Sequence, residues 1–82
     1  LSVDEIAARF FHRLVYIHPF PNGNGRHARM MADLLLVQHD RPRFTWGEES
    51  RMAESDLRQQ HLQAVRSADR GNFSPLLAFV RS

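Results

Sequence analysis

Between His18 and Arg29 the chain reads HPFPNGNGRHAR, which places one imidazole, two closely spaced glycines and two arginines in a single short stretch. Gly23 and Gly25 have no side chain to block a ligand and can take backbone angles closed to other residues, so neighbouring N–H groups can converge on one concavity that binds anions. Arg26 to Gln38 follows as a run of strong helix formers, which predicts a helix whose positive end, with its unpartnered N–H groups, meets the loop. Arg26, Arg29 and Asp33 are spaced by three and four residues and fall on one stripe of that helix, with both guanidinium forks near its loop end. Two forks suit a polyphosphate better than a single phosphate. Histidine is the side chain suited to carrying a proton near neutral pH, so the stretch combines phosphate binding with a base. Arg29 is also placed to pair with Asp33 one turn later.

The stretch resembles the Fic motif, HxFx(D/E)GNGRxxR, at His18, Phe20, Gly23, Asn24, Gly25, Arg26 and Arg29, and departs from it at Asn22. Seven fixed residue types arise by chance on the order of once in a billion start positions. The amphipathic segment running into Ile17 and the later HLQAVRSADRGNFSPLLAFV are similar to the flanks of that motif in Fic proteins, so nearly the whole chain is covered. The spelling HPFPNGNGRHAR followed by FTWG is also similar to a branch labelled mobile mystery protein B.

The resemblance implies a protein adenylyltransferase, which transfers AMP from ATP to a Ser, Thr or Tyr hydroxyl of a target protein. His18 would be the general base, Gly23, Asn24 and Gly25 the anion hole, and Arg26 and Arg29 the ligands of the terminal phosphates. Phe20 would anchor the loop in the core. The family usually places a carboxylate at the position of Asn22 to hold Mg²⁺, a hard cation that prefers charged oxygens. A neutral amide there implies weakened or altered Mg²⁺ binding, or a catalytically weak nucleotide-binding module. Doc-type relatives, which phosphorylate their targets, replace the second loop glycine with lysine. Gly25 is intact, which favours AMP transfer over phosphotransfer.

Many Fic proteins also carry an inhibitory helix, (S/T)xxxE(G/N); Ser50 to Ser55 approaches that pattern but ends in Ser55, and SxxxE is common on ordinary helices, so Glu54 is not expected to be inhibitory. Other implied partners are an antitoxin or inhibitory segment elsewhere and a second copy of the chain. A cytoplasmic location is expected.

The elements that position these residues read as all-α. Ser2 and Glu5 form a capping-box pair for a first helix with Val3, Ile6, Ala7, Phe10, Leu14 and Ile17 along its apolar stripe, stopped by Pro19 and Pro21. The motif loop and a central helix ending near His39 follow. Asp40 to Gly47 is a connection whose Phe44 and Trp46 are expected to pack on the core. A third helical region spans about 48–69, with a break near Ser55; Gly71 marks its end, and Ser74 with Pro75 begins a short fourth helix. The active-site loop thus lies between the first and second helices.

Eighty-two residues allow one domain with a modest core. Residues 1–82 are expected to be part of a Fic domain whose upstream helices and target-docking hairpin lie outside this sequence. The central helix is apolar on several faces and needs further neighbours.

Composition narrows the alternatives. All eleven basic residues are arginine, the formal charge is +2, and the arginines outside the motif are scattered among acids, which argues against a nucleic-acid-binding stripe. No apolar run reaches membrane-spanning length. With no cysteine there is neither a disulfide framework nor a thiol nucleophile.

Overall fold

A computed structural model describes residues 1–18, 20–48 and 50–82. Its elements are α1 (Val3–Ile17), α2 (Asn24–Gln38), α3 (Glu54–Asp69) and α4 (Ser74–Val80), with no strand among the described residues. The chain is all-α. Contacts cluster into two units, Leu1–Arg43 and Phe44–Ser82, each built on a pair of packed helices.

In the first unit, Ser2 caps α1 as expected: its Oγ accepts from the Glu5 N–H at 3.1 Å. Burial on α1 differs from the expected stripe, because Ala7, Ala8 and Phe11 are buried while Ile6 and Ile17 are exposed. The partner helix explains the difference. On α2 the buried line is Ala28, Ala32 and Leu36, four residues apart, so the buried residues of both helices are mostly small. A ridge of alanines lets two backbones approach closely, and a stripe of large side chains would hold them apart. Arg41, just past α2, donates from Nε and Nη2 to the Asp4 carboxylate at 3.3–3.4 Å. This exposed pair ties the ends of the unit together for at most about 1 kcal/mol.

In the second unit, Thr45 and Trp46 both donate their N–H groups to the Val80 carbonyl, at 2.8 and 3.1 Å, and Thr45 Oγ1 donates to the Ser82 carbonyl at 2.6 Å. The aromatic connection is therefore stitched to the end of α4. Phe44 is buried, meets Trp46 edge to face at 5.3 Å and lies under the Arg81 guanidinium at 4.7 Å. Gly71, at φ +91°, ends α3, and Ser74 with Pro75 begins α4, both as expected.

The start of α3 corrects the expectation of a helix from about residue 48. Trp46 and Gly47 both have left-handed backbone, at φ +52° and +83°, and the chain after them turns: the Glu48 N–H bonds to the Thr45 carbonyl at 2.9 Å and the Ser50 N–H to the Gly47 carbonyl at 3.0 Å. The Met52 N–H then bonds to Ser50 Oγ, a local alternative to helix, and α3 begins only after the extended Ala53. It passes through Ser55 without a break. Glu49, within the expected range, and Pro19, one of the two expected stops of α1, lie outside the described residues.

Gly47 has a second constraint. A Cβ there would sit 3.0 Å from Leu57 Cδ2 and from Phe79 Cε1. Backbone strain and overpacking act together, so Gly47→Ala is expected to destabilise the protein by about 2 kcal/mol. Thermal or urea unfolding of the full-length variant checks this, and an unchanged midpoint would contradict it.

Candidate active site

α1 ends at His18, which takes the left-handed conformation (φ 52°, ψ 62°) and donates its backbone N–H to the Leu14 carbonyl. Its ring Nδ1 lies 3.3 Å from the Tyr16 carbonyl. A carbonyl only accepts, so this contact requires the proton on Nδ1, and in the neutral ring the lone pair is then on Nε2. The imidazole is exposed.

Five residues later Gly23, at φ +73°, is the N-cap of α2. The helix begins at Asn24, two residues earlier than the run of strong formers predicts, so Asn24, Gly25 and Arg26 form its first turn. Their N–H groups precede the first backbone bond of the helix, from the His27 N–H to the Gly23 carbonyl at 3.0 Å. The 15-residue α2 has no side-chain cap and, unlike α1 with Asp4 and Glu5 or α3 with Glu54 and Asp56, no acid in its first turn. Its positive end is therefore left unneutralised by its own sequence.

Arg26 adds charge at that end, where the helix dipole disfavours a cation. The Arg26 guanidinium folds back over the loop, with Nη2 3.9 Å from the point where a Cβ on Gly23 would stand. Arg29 is exposed one turn further along, and Asp33 lines a groove with Met30, Leu34, Val37 and Arg43. A Cβ on Gly25 would meet nothing within 4 Å, so its face of the first turn is open. The first turn of α2 thus has an open face, with the Arg26 guanidinium beside the loop and Arg29 exposed one turn further along.

Two features were not legible in the sequence pattern. Asn24 uses its side chain on the loop: the Phe20 N–H donates to its Oδ1 at 2.9 Å, and its Nδ2 donates to the Phe20 carbonyl at 2.7 Å. The Asn24 side-chain amide is thus engaged within the loop. Phe20, expected in the core, is 47% exposed and packs its ring edge-on against His27 at 4.9 Å.

Residues 1–36, which include the whole His18–Arg29 stretch, match the model of the Fic/DOC family. Those residues belong to the Fic/DOC family. Similarity to proteins with Fic names continues beyond them. The chain is 32% identical over 76 residues to a "Protein adenylyltransferase Fic" of Nematostella vectensis, covering 93% of this chain and 16% of that protein. It is 29% identical over 82 residues to a "Protein adenylyltransferase fic-1" of Caenorhabditis elegans, covering 98% of this chain and 15% of that one. A "Uridine 5′-monophosphate transferase" of Xanthomonas campestris is 44% identical over 54 residues, which are 65% of this chain and 10% of that protein. The chain thus spans 16% or less of the length of these relatives. No solved structure matches it. In the Fic/DOC stretch the motif positions occupy the end of α1, the connecting loop and the first turns of α2.

Proposed function

We propose that the protein containing this chain transfers AMP from ATP to a hydroxyl of a target protein. The reading is supported by the placement of the motif: His18 ends α1, and a short loop leads from it into an uncapped, acid-free helix end that carries Arg26 and Arg29. His18 Nε2 takes the proton of the incoming hydroxyl, whose oxygen attacks the α-phosphate. The bond from the α-phosphorus to the β-bridging oxygen breaks, and pyrophosphate leaves. The first-turn amides of α2 and the two guanidinium groups hold the charge on the phosphates throughout. The target is a protein bearing Ser, Thr or Tyr. Residues 18–29 are the core of the catalytic part, and residues 1–82 are part of a larger Fic domain.

Mg²⁺ fits poorly. From His18 to Arg29 every side chain is neutral or basic, and among the described residues no group of three His, Asp or Glu side chains could hold a metal ion. Asn24 Oδ1 already accepts from Phe20. That leaves the neutral amide of Asn22 as the loop's side-chain oxygen, a weak ligand for a hard cation. Asn22→Asp is therefore expected to lower the Mg²⁺ concentration for half-maximal transfer by about tenfold. A metal titration of the full-length variant checks this, and an unchanged titration would contradict it.

A second nucleotide deserves the same test, because the relative named as a uridine 5′-monophosphate transferase is 44% identical over its matched residues. Full-length protein and candidate targets incubated with ATP or UTP, labelled at the α- or the γ-phosphate, separate the readings. Label from α-labelled ATP is expected in protein. Label from UTP alone would make the reaction uridylyl transfer, and label only from the γ-position would make it phosphotransfer.

A further inference from the structure

The loop between α1 and α2 has to hold His18 at a fixed distance from the anion-binding turn, and within the described residues its Phe20 ring is half exposed. Two residues of α2 hold Phe20. The Asn24 amide bonds both the N–H and the carbonyl of Phe20, at 2.9 and 2.7 Å. This needs an acceptor and a donor side by side on a short stem, which asparagine provides. The Phe20 ring meets His27 edge to face, with centroids 4.9 Å apart and planes at 84°. His27 is the fourth residue of α2, the helix position of a hydrophobic staple, and its partner Phe20 lies two residues before the usual staple position at Asn22.

The His27 ring acts here as an apolar wall. Its Nδ1 is buried without a hydrogen-bond partner among the described residues, so that nitrogen does not face solvent. A ring held for its hydrogen bonds would not leave one buried and unused.

We propose that His27 is a positioning residue: with Asn24 it clasps Phe20 to the first turns of α2, and so presets the loop between His18 and the anion-binding amides. The role of that loop in nucleotide binding rests on the reading under Proposed function. The clasp itself does not.

Two variants of the full-length protein divide the chemistry of the imidazole. His27→Phe keeps the ring and removes the nitrogens; His27→Gln keeps a polar nitrogen and removes the ring. Amide hydrogen exchange across residues 18–27, with α1 as internal control, is measured beside the affinity for ATP. His27→Gln is expected to speed exchange in the loop by about fivefold, the scale of a lost aromatic pair. It is also expected to weaken ATP binding by a similar factor, while His27→Phe stays within about twofold of the wild type in both. Unchanged loop exchange in His27→Gln would overturn the proposal. So would ATP binding that survives in His27→Gln and fails in His27→Phe, which would make the imidazole a ligand contact. If His27→Gln also unprotects α1, Asn24→Ser removes the other half of the clasp and is read in the same way. The expected exchange pattern in a protein that binds no ATP would leave the clasp standing and sink the nucleotide reading.

Discussion

Removing the His18 imidazole is expected to slow nucleotidyl transfer by about 10²–10⁴-fold, the usual contribution of a positioned general base. The choice of substitution matters, because His18 has left-handed backbone at φ 52°. Alanine there would add a conformational cost of roughly 1–2 kcal/mol. Asparagine tolerates that conformation and cannot act as the base, so His18→Asn isolates the chemistry from the fold. Affinity for ATP is expected to stay within about threefold of the wild type, because the first-turn amides of α2, Arg26 and Arg29 remain. Transfer by His18→Asn at near wild-type rate would remove His18 from the mechanism.

At Gly25, stability and binding are expected to move in opposite directions. Gly25 lies in the first turn of α2 without a positive φ, and a Cβ would meet nothing within 4 Å. Nothing in the fold requires glycine there. Gly25→Ala is expected to stabilise the protein by about 0.5–1 kcal/mol, because alanine loses less backbone freedom in a helix. ATP affinity is nevertheless expected to fall by about tenfold, the scale of one lost charge-assisted hydrogen bond, as the methyl group displaces phosphate from the open face of the turn. Gly23→Ala separates this effect from backbone strain. At φ +73° it is expected to cost roughly 1–2 kcal/mol of stability, although its Cβ would meet only Arg26 Nη2, at an ordinary 3.9 Å. A Gly25→Ala protein that binds ATP like the wild type would contradict close phosphate approach at this turn.

The helix signals that sit within a few residues of one another were legible. Ser2 with Glu5, Gly71, and Ser74 with Pro75 mark helix ends through local bonds and local backbone angles, and the structure uses all of them. The order His18, glycine loop, helix, two arginines was legible for the same reason. Long-range choices were less so. Nothing in the α1 sequence says that α2 will present Ala28 and Ala32, so the small face with Ala7 and Ala8 was harder to see than the larger residues Ile6 and Ile17. The late start of α3 depends on turn bonds from the Glu48 and Ser50 N–H groups and on the Met52 N–H bonding to Ser50 Oγ, local alternatives to a helix that the residue types there do not single out. In the loop, Asn24 had one visible part, a place among the anion-binding residues, and one hidden part, the bonding of Phe20 by its side chain. His27 stood at a variable position of the motif, and only its contact with Phe20 gives it a role.

The most direct test of the central claim is intact-mass analysis of the full-length protein and lysate proteins after incubation with ATP and Mg²⁺, beside the His18→Asn variant. The account predicts an AMP-sized increment on a protein that accumulates with the wild type and is lost with the variant. An increment that persists in the variant, or a phosphate-sized one in its place, would contradict it.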